Sequence, residues 1–335
     1  MSEYPRLAPP GHRTTVPVGT VTTEAGAEIP DVVIAYQRWG SFRGDPAGVN
    51  NVLIVEHALT GDSDVTDWWG DLIGPGRALD TDHWCVIATN VLGGCGGSMG
   101  GARTLEWSLM YPAALTAACV IAVSARASGW QIGIQSAQIS SIENDPQWHG
   151  GDYYGLGVAP EAGLAAARRI AHLTYRGEQE IDERFGTTAQ RGENPLGAYR
   201  AGDQRFAVNS YLEYQGKKLV DRFDAGSYVA LTESLNRHDV GRGRGGLNKA
   251  LASSTVPTMV VGVDTDILYP YHQQEHLSRN LGNLLAMAKV VSPVGHDAFL
   301  TETRQMDRVL RNFLTLSASD GLALPGGLTD GDHAI

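Results

Sequence analysis

The chain has 335 residues, of which 42% are hydrophobic and 19% are charged, so it can bury a sizeable core and is not of the disordered class. Its formal net charge of −11 excludes the basic surface that nucleic-acid binding requires. The three cysteines are odd in number and lie in or beside apolar runs, which indicates reduced thiols. The longest apolar run, Ala117–Val123, is too short to cross a bilayer. We therefore expect a soluble, cytoplasmic protein.

The first part of the chain carries strand signals. Residues 15–23 and 31–38 alternate apolar and polar side chains, which predicts an antiparallel hairpin. The apolar run Asn51–Glu56 predicts a buried parallel strand. His57–Gly61 follows at the strand's end, where open α/β sheets place ligands and where backbone N–H groups could form part of an oxyanion hole. The ring of His57 itself is expected to pack at the strand end, and Trp68-Trp69 is expected in a turn.

A G-x-S-x-G pattern, Gly96–Gly101, follows the predicted strand Trp84–Leu92 and precedes a helix-like run, Ala102–Tyr111. Such a turn aims a serine hydroxyl at a helix N-terminus, so Ser98 is the candidate nucleophile. Because the chain has 41 glycines, a chance match is expected with odds of roughly one in four. The pattern gains weight only if an acid and then a histidine follow, each after a strand.

The middle of the chain, residues 128–254, has helical periodicity with charged faces and no strand-like runs. Strand signals precede it, ending with Ala117–Val123, and resume after it. We therefore predict a helical cap inserted into an α/β core. The predicted helices are Glu161–Tyr175, Phe206–Phe223 and Ser227–Asn236. The predicted division is a core of residues 1–127 and 255–316, a cap of residues 128–254 and a disordered tail of residues 317–335.

The last strands carry the acid and the histidine that the nucleophile requires. Pro257–Val263 is an apolar run followed directly by Asp264-Thr265-Asp266, and Ala288–Val291 is followed by Gly295-His296-Asp297. The order of serine, acid and histidine along the chain is the one that α/β-hydrolase triads use.

Two other patterns could bind a ligand. Gly241–Gly246, with two arginines among its glycines, could be a phosphate-contacting loop or a flexible basic turn; the missing flanking strand favours the turn. His272 and His276 stand four residues apart on a predicted helix, a spacing that can share a metal ion. Because a third ligand and an H-E-x-x-H glutamate are missing, no metal site is predicted.

Several motifs together make the chain resemble the homoserine O-acyltransferases of the α/β-hydrolase superfamily, most of all the homoserine O-acetyltransferases. The resemblance extends from about Thr15 to Leu314 and is specific because the motifs occur together. They are His57–Gly61, Gly74–Gly76, Thr89–Cys95, Gly96–Gly101, Asp145–Trp148, Ala171–Tyr175, Ser210–Gly216 and Gly295–Asp297.

The resemblance implies a catalytic triad and a substrate pocket. It implies Ser98 as nucleophile, His296 as base and Asp266 as the acid that orients the base, with an oxyanion hole from the backbone of Leu59 and Met99. It also implies that Arg168 binds the carboxylate of homoserine and that Asp297 binds its ammonium, with Tyr175 nearby. The implied reaction is ping-pong acyl transfer from acetyl-CoA to L-homoserine, a step of methionine biosynthesis, without a cofactor or metal and in a homodimer.

The chain departs from the family between Cys95 and Gly96, which are adjacent here. In the family a long segment separates the cysteine loop from the elbow, and it includes a helix and the strand that leads into the nucleophile. We therefore predict that a helix and a strand, on the order of thirty residues or more, are missing. The strand Trp84–Leu92 must then either take the position that the missing strand would hold in the sheet or leave Ser98 on the wrong side of the oxyanion loop. Either way, backbone groups in the sheet lose their partners.

Three functions remain open from the sequence. The first is homoserine O-acetyl transfer by the triad. The second is a relative that binds homoserine or dimerises without catalysis, since Arg168 and Asp297 do not depend on the missing segment. The third is an esterase of small acyl esters, which needs the triad and not the amino-acid pocket.

Overall fold

A computed structural model describes residues 9–23, 25–44, 51–59, 61–92, 99–197 and 204–319 of the chain. The candidate nucleophile Ser98 lies outside the described residues, as do Cys95 and residues 320–335 of the predicted tail. Cys85 and Cys119 form no disulfide among the described residues. None of the described helices is both long and apolar enough to span a membrane.

The first sheet has four strands in the order β1-β2-β4-β3. β1 and β2 form the predicted antiparallel hairpin, and β2 also pairs antiparallel with β4. β3 and β4 pair in parallel, as expected of short runs that are apolar throughout. The strand bounds are β1 Thr14–Thr22, β2 Glu28–Trp39, β3 Val52–Val55 and β4 Cys85–Thr89.

The second sheet has three parallel strands in the order β5-β6-β7. They are β5 Ala118–Ile121, β6 Thr258–Val263 and β7 Leu284–Val290. β6 is buried at every position because it has a strand on each side and helices on both faces. The predicted start of the last strand, Ala288, was wrong. β7 starts four residues earlier, at Leu284, and its first residues are only partly covered.

The helices that follow the strands pack on both sheets. Trp68-Trp69 was predicted in a turn, and this was wrong: both residues lie in a short helix whose Trp69 is buried. The last helix continues through Ser317 to Ser319, so the boundary predicted after residue 316 falls inside it. These helices are α1 Val65–Trp69, α2 Met99–Met110, α9 Tyr271–Asn280, α10 Ala298–Thr301 and α11 Thr303–Ser319.

Between β5 and β6 the described residues form helices and contribute no strand to either sheet. The predicted helix Glu161–Tyr175 is found with those bounds, and the other two predicted helices are found with shifted ends. The helices are α3 Gly129–Glu143, α4 Glu161–Tyr175, α5 Glu178–Arg184, α6 Ala207–Val220, α7 Ala225–Asn236 and α8 Leu247–Ala252. The division into core and cap stays a prediction.

The two sheets face each other across a break between β3 and β5. Among the described residues no strand lies between them, and a cavity of about 430 Å³ is lined by both. β4 pairs with β2 and β3, so it has not crossed to the other side of β3. Apolar side chains of both sheets and of α11, among them Val55, Met259 and Leu310, form one cluster that holds the halves together.

Candidate active site

The loops after β6 and β7 bring an aspartate and a histidine together. The Nδ1 atom of His296 lies 2.6 Å from Oδ2 of Asp266, and each residue is only 3% exposed. The other carboxylate oxygen, Oδ1, accepts hydrogen bonds from the backbone N–H groups of Leu268 and Tyr269, each at 2.8 Å. The carboxylate is thereby fixed in one orientation, with one oxygen left for the imidazole.

The two loops are also bonded to each other, which sets the distance between the acid and the imidazole. The hydroxyl of Thr265 donates to the carbonyl of Ser292 at 2.5 Å and accepts from the N–H of Gly295 at 3.1 Å. Asp264, the first acid of the turn, accepts from the N–H of Ser292 at 3.0 Å. Asp264 thus links the two loops by a hydrogen bond, whereas Asp266 binds the imidazole of His296.

The pKa of His296 is raised above its ordinary value. Burial, the largest influence, lowers this pKa, but the charge of Asp266, its hydrogen bond and the charge of Asp297 together outweigh burial. Because the pair favours the imidazolium in the folded state, its stabilising contribution is complete below the unfolded histidine pKa. It is lost as the pH rises through the raised pKa.

The N-terminus of α2 lies against the end of β3. A Cβ atom added at Gly100 would lie 2.3 Å from the carbonyl oxygen of Glu56, so only glycine permits this approach. Leu59 and Met99, the two residues predicted to form the oxyanion hole, belong to one buried cluster. Ser98 precedes Met99 directly, but no distance to His296 follows because Ser98 lies outside the described residues.

A cationic and aromatic pocket lies beside the histidine. The guanidinium carbon of Arg168 lies 5.3 Å from the ring centre of Tyr175, and that ring lies 5.9 Å from the ring of His296. The Nη1 atom of Arg168 is buried and has no hydrogen-bond partner among the described residues. A buried donor of this kind is costly unless a ligand such as a carboxylate accepts from it.

Asp297 faces the same pocket and is fixed by a residue that the sequence did not point to. Arg176 lies 3.5 Å from Oδ2 of Asp297 and 2.7 Å from Glu180. Burial raises the pKa of Asp297, while the charges of His296, Arg176 and Arg168 act in the opposite direction. Arg176 follows directly after Tyr175, so the resemblance in Ala171–Tyr175 stopped one residue short of it.

The end of α4 is bonded to the histidine loop through a close backbone contact at Gly295. The N–H of Gly177 donates to the carbonyl of Val294 at 2.5 Å, and that of Asp297 donates to the carbonyl of Tyr175 at 2.9 Å. Gly295 has φ +85°, and a Cβ atom added there would lie 2.6 Å from the nitrogen of Gly177. Glycine is therefore required both by the backbone conformation and by the contact.

Left-handed backbone costs a residue other than glycine about 1–2 kcal/mol. Replacing Gly295 by alanine should destabilise the protein by more than this, because the added Cβ atom would also lie against Gly177. Gly243→Ala is the matched control, since Gly243 has φ +71° and an added Cβ would meet nothing within 4 Å. Urea denaturation of both variants gives the two losses. Equal losses would show that the contact with Gly177 contributes nothing.

The remaining predicted features lie away from this pocket. His57 is fully buried at the end of β3, as expected of a packing residue, and burial lowers its pKa. His272 and His276 are exposed, and the described residues include no group of three or more side chains suited to a metal ion. In the Gly241–Gly246 turn, Arg244 binds Glu106 at 2.7 Å and Arg242 donates to a backbone carbonyl, so both guanidiniums bind the protein itself.

The family follows from comparison with known proteins. The family described as the alpha/beta hydrolase fold matches residues 94–303. A homoserine O-acetyltransferase of Corynebacterium efficiens is 62% identical to this chain and covers 94% of it and 97% of the relative. The chain belongs to the homoserine O-acetyltransferase family. A member from Corynebacterium glutamicum is 61% identical over the same shares, and the family is one of acyltransferase enzymes.

Solved structures agree with the fold. A homoserine O-acetyltransferase from Bacillus anthracis superposes with a TM-score of 0.77 at 19% identity, covering 90% of this chain and 97% of that one. Esterase E22 superposes with a TM-score of 0.78 at 19% identity, covering 90% of this chain and 99% of that one. At such identities the likeness establishes the fold alone, and the predicted α/β-hydrolase class is confirmed.

The family alignment also bears on the missing segment. The alignment with the Corynebacterium efficiens relative extends over 364 residues, whereas this chain has 335. At least 29 positions, the difference between these lengths, are therefore present in the relative and absent here. Together with the break between β3 and β5, this supports the predicted loss of a helix and a strand from this member of the homoserine O-acetyltransferase family.

Proposed function

We propose that the chain transfers an acetyl group from acetyl-CoA to the side-chain hydroxyl of L-homoserine through a serine, histidine and aspartate triad. The observation that carries the proposal is the buried pair of His296 and Asp266, 2.6 Å apart, beside a pocket with a cation and a carboxylate. The family to which the chain belongs supports the same reaction. The homodimer that the resemblance implies stays a prediction.

In the first half of the reaction, Ser98 is acylated. His296 takes the hydroxyl proton of Ser98 at Nε2 while the serine oxygen attacks the thioester carbonyl of acetyl-CoA. The backbone N–H groups of Leu59 and Met99 stabilise the oxyanion, which forms at the N-terminus of α2. The carbon–sulfur bond then breaks, and the CoA thiolate leaves with the proton that His296 returns.

In the second half, homoserine takes the acetyl group. Arg168 binds its carboxylate through Nη1, which has no hydrogen-bond partner among the described residues, and Asp297 binds its ammonium. These two contacts place the hydroxyl near His296, which removes its proton as the oxygen attacks the acetyl-serine. The ester bond to Ser98 breaks, the proton returns to the serine, and O-acetylhomoserine leaves.

Asp266 acts through the imidazole. Its Oδ2 atom accepts the Nδ1 proton of His296, so Nε2 is the nitrogen that exchanges protons with the substrates. Asp266 also stabilises the imidazolium that forms after each proton transfer, in line with the raised pKa of His296.

A rapid-mixing experiment tests the acylation step. We expect a burst of CoA release when the protein meets acetyl-CoA without homoserine, and we expect Ser98→Ala to abolish the burst. Thr104→Ala is the control, because Thr104 lies one turn into α2 and its hydroxyl donates to the carbonyl of Gly100 within the same helix. A burst that persists in Ser98→Ala would eliminate Ser98 as the nucleophile.

The break between the sheets favours a second candidate, homoserine binding without acyl transfer. Arg168 and Asp297 lie on α4 and on the loop after β7, so their pocket does not need a strand between β3 and β5. Titration calorimetry separates the candidates: heat of homoserine binding in a protein that shows no CoA burst supports binding alone.

A further inference from the structure

Three aromatic rings pack around the imidazole of His296. The ring centres of Tyr269 and Phe299 each lie 5.5 Å from that of the imidazole, and the ring centre of Tyr175 lies 5.9 Å from it. Both tyrosine rings are tilted by 38° to the imidazole plane, whereas Phe299 meets it at 73°, edge to face. The proposed base therefore lies in an aromatic enclosure that restricts its movement.

Tyr269 differs from the other two rings because its backbone also binds the acid. Its N–H donates to Oδ1 of Asp266 at 2.8 Å, and its carbonyl accepts from Nε2 of Gln274 at 3.2 Å. The residue is 2% exposed. A displacement of Tyr269 would therefore move the ring that packs on His296 and, at the same time, an N–H group that holds Asp266.

The hydroxyl of Tyr269 is bonded to the first turn of α3. It accepts from Nε2 of Gln131 at 3.1 Å, and Gln131 is itself 1% exposed. The preceding residue, Trp130, donates from Nε1 to the carbonyl of Ile267 at 2.6 Å. Two successive residues of α3 thus bind the loop after β6, although they stand 137 and 138 positions from their partners in the chain. Because α3 belongs to the predicted cap and packs against α4 and α7, the orientation of the Tyr269 ring depends on the cap.

We propose that Tyr269, fixed at its hydroxyl by Gln131, is a positioning residue that keeps the imidazole of His296 aligned with Asp266 and stabilises the imidazolium. The inference rests on the proposed function, since it takes His296 as the base. A single hydrogen bond from Nδ1 leaves the imidazole plane free to turn about that bond, so Asp266 alone does not set the direction of Nε2. A packed ring that is itself fixed at its far end supplies the missing restraint.

The same ring favours the protonated state of the base. A cation within about 6 Å of the centre of a tyrosine ring is attracted by the negative face of that ring, and the attraction is much weaker for a neutral imidazole. Tyr269 itself stays neutral because burial raises its pKa, as burial also does for the pKa of Tyr175. Tyr269 therefore stabilises the imidazolium without adding a charge to the site.

The charged groups around the imidazole set the direction of a pH test. Among the described residues, the charged or titratable side chains that act on the imidazole or on its neighbour Asp297 are Asp266, Tyr175, Tyr269, Arg168 and Arg176. The carboxylates of Asp266 and Asp297 raise the pKa of His296, and neither is removed by a substitution at Tyr269. A fall in that pKa on removal of the ring would thus report the contribution of the ring itself.

Nitrogen-15 NMR of the full chain tests the proposal without any substrate. In Tyr269→Leu, which removes the ring, the pKa of His296 should fall by about one unit. Tyr269→Phe keeps the ring and should restore that pKa, because the face of a phenyl ring also attracts a cation. A pKa that is unchanged in Tyr269→Leu would overturn the proposal.

The bond to Gln131 is tested by the exchange of the His296 Nδ1 proton with water. Tyr269→Phe and Gln131→Leu each remove this one hydrogen bond, and each should speed the exchange by roughly 2- to 10-fold. The double variant should exchange no faster than either single variant, because both substitutions act on the same bond. Additive effects would contradict the proposal, since Gln131 would then act elsewhere than through Tyr269.

Tyr228→Phe is the matched control. Tyr228 is also fully buried, and its hydroxyl donates to Oε1 of Gln138, another residue of α3, at 2.7 Å. Within the described part of the chain, the rings that contact His296 do not include Tyr228. The variant loses a buried hydrogen bond to the same helix but should leave the pKa of His296 and the exchange of its Nδ1 proton unchanged. Equal effects of Tyr228→Phe and Tyr269→Phe would refute the proposal, because loosening of α3 alone would explain them.

The burst of CoA release separates a failure of this proposal from a failure of the proposed function. With a working triad, Tyr269→Leu should slow the burst by about 100-fold, the effect of misplacing a reacting group by about 1 Å. A burst in the unaltered protein that is equally fast in Tyr269→Leu would overturn the proposal and leave the function standing. The expected NMR changes without any burst in the unaltered protein would support the positioning of His296 and overturn acetyl transfer instead.

Discussion

Replacing Asp266 by asparagine should lower the rate of CoA release by about 10⁴-fold while leaving the fold intact. Asparagine keeps the shape of the side chain but donates where the carboxylate accepts, so His296 is held in the tautomer that cannot accept the serine proton. It also removes the main charge that raises the pKa of His296. The acid limb of any residual activity should therefore move to lower pH. Steady-state rates measured across the pH range check both effects.

Asp264→Asn is the matched control for that variant. Asp264 lies two residues earlier on the same turn, and among the described residues its side chain accepts only from the backbone N–H of Ser292, at 3.0 Å. We expect a small loss of stability and an unshifted pH profile. If the two variants lose activity equally, the turn as a whole is needed and Asp266 has no separate role.

Replacing Arg168 by methionine should weaken homoserine binding by about 2–5 kcal/mol, the loss measured when one partner of a buried charge pair is truncated. Methionine keeps much of the packing against Tyr175 but removes the buried Nη1 donor. Titration calorimetry gives the change directly. Arg168→Lys should recover only part of it, because an ammonium cannot replace the two-bonded guanidinium fork.

Arg169→Met provides the comparison for Arg168. Arg169 is the next residue on α4 and is also half-buried, but among the described side chains it makes no hydrogen bond or ion pair with Tyr175 or Asp297. Its replacement should leave homoserine affinity within twofold. An equal loss in both variants would mean that the positive charge of α4, rather than a specific contact, attracts the substrate.

Local patterns predicted the strands well because each run is short, apolar and followed by a polar turn. The loops after β6 and β7 could be placed for the same reason, and with them Asp266 and His296. The helix α1 could not be predicted, since five residues contain too little of a 3.6-residue period. α11 does carry such a period in Met306, Leu310 and Leu314, so the sequence signal for this helix is present.

The residues of the proposed substrate pocket could not be predicted from local patterns. From sequence alone Arg168 reads as an exposed helix charge, and only the resemblance assigned it a role. Arg176 could not be assigned at all, because its contact with Asp297 joins residues about 120 positions apart in the chain. The break in the sheet, in contrast, could be predicted, since the adjacency of Cys95 and Gly96 is visible in the residues themselves.

The interrupted ladder divides the proposed catalytic residues between two separately bonded halves. Leu59 follows β3 on one half, whereas Asp266 and His296 follow β6 and β7 on the other, and among the described strands no ladder hydrogen bond joins the halves. Side-chain packing and side-chain hydrogen bonds, such as the one from Trp69 to the carbonyl of Phe299, then keep the proposed oxyanion donors in register with the proposed base. Packed side chains yield to strain more readily than a continuous ladder, so the alignment of the proposed catalytic residues should be lost on warming before the molecule as a whole unfolds.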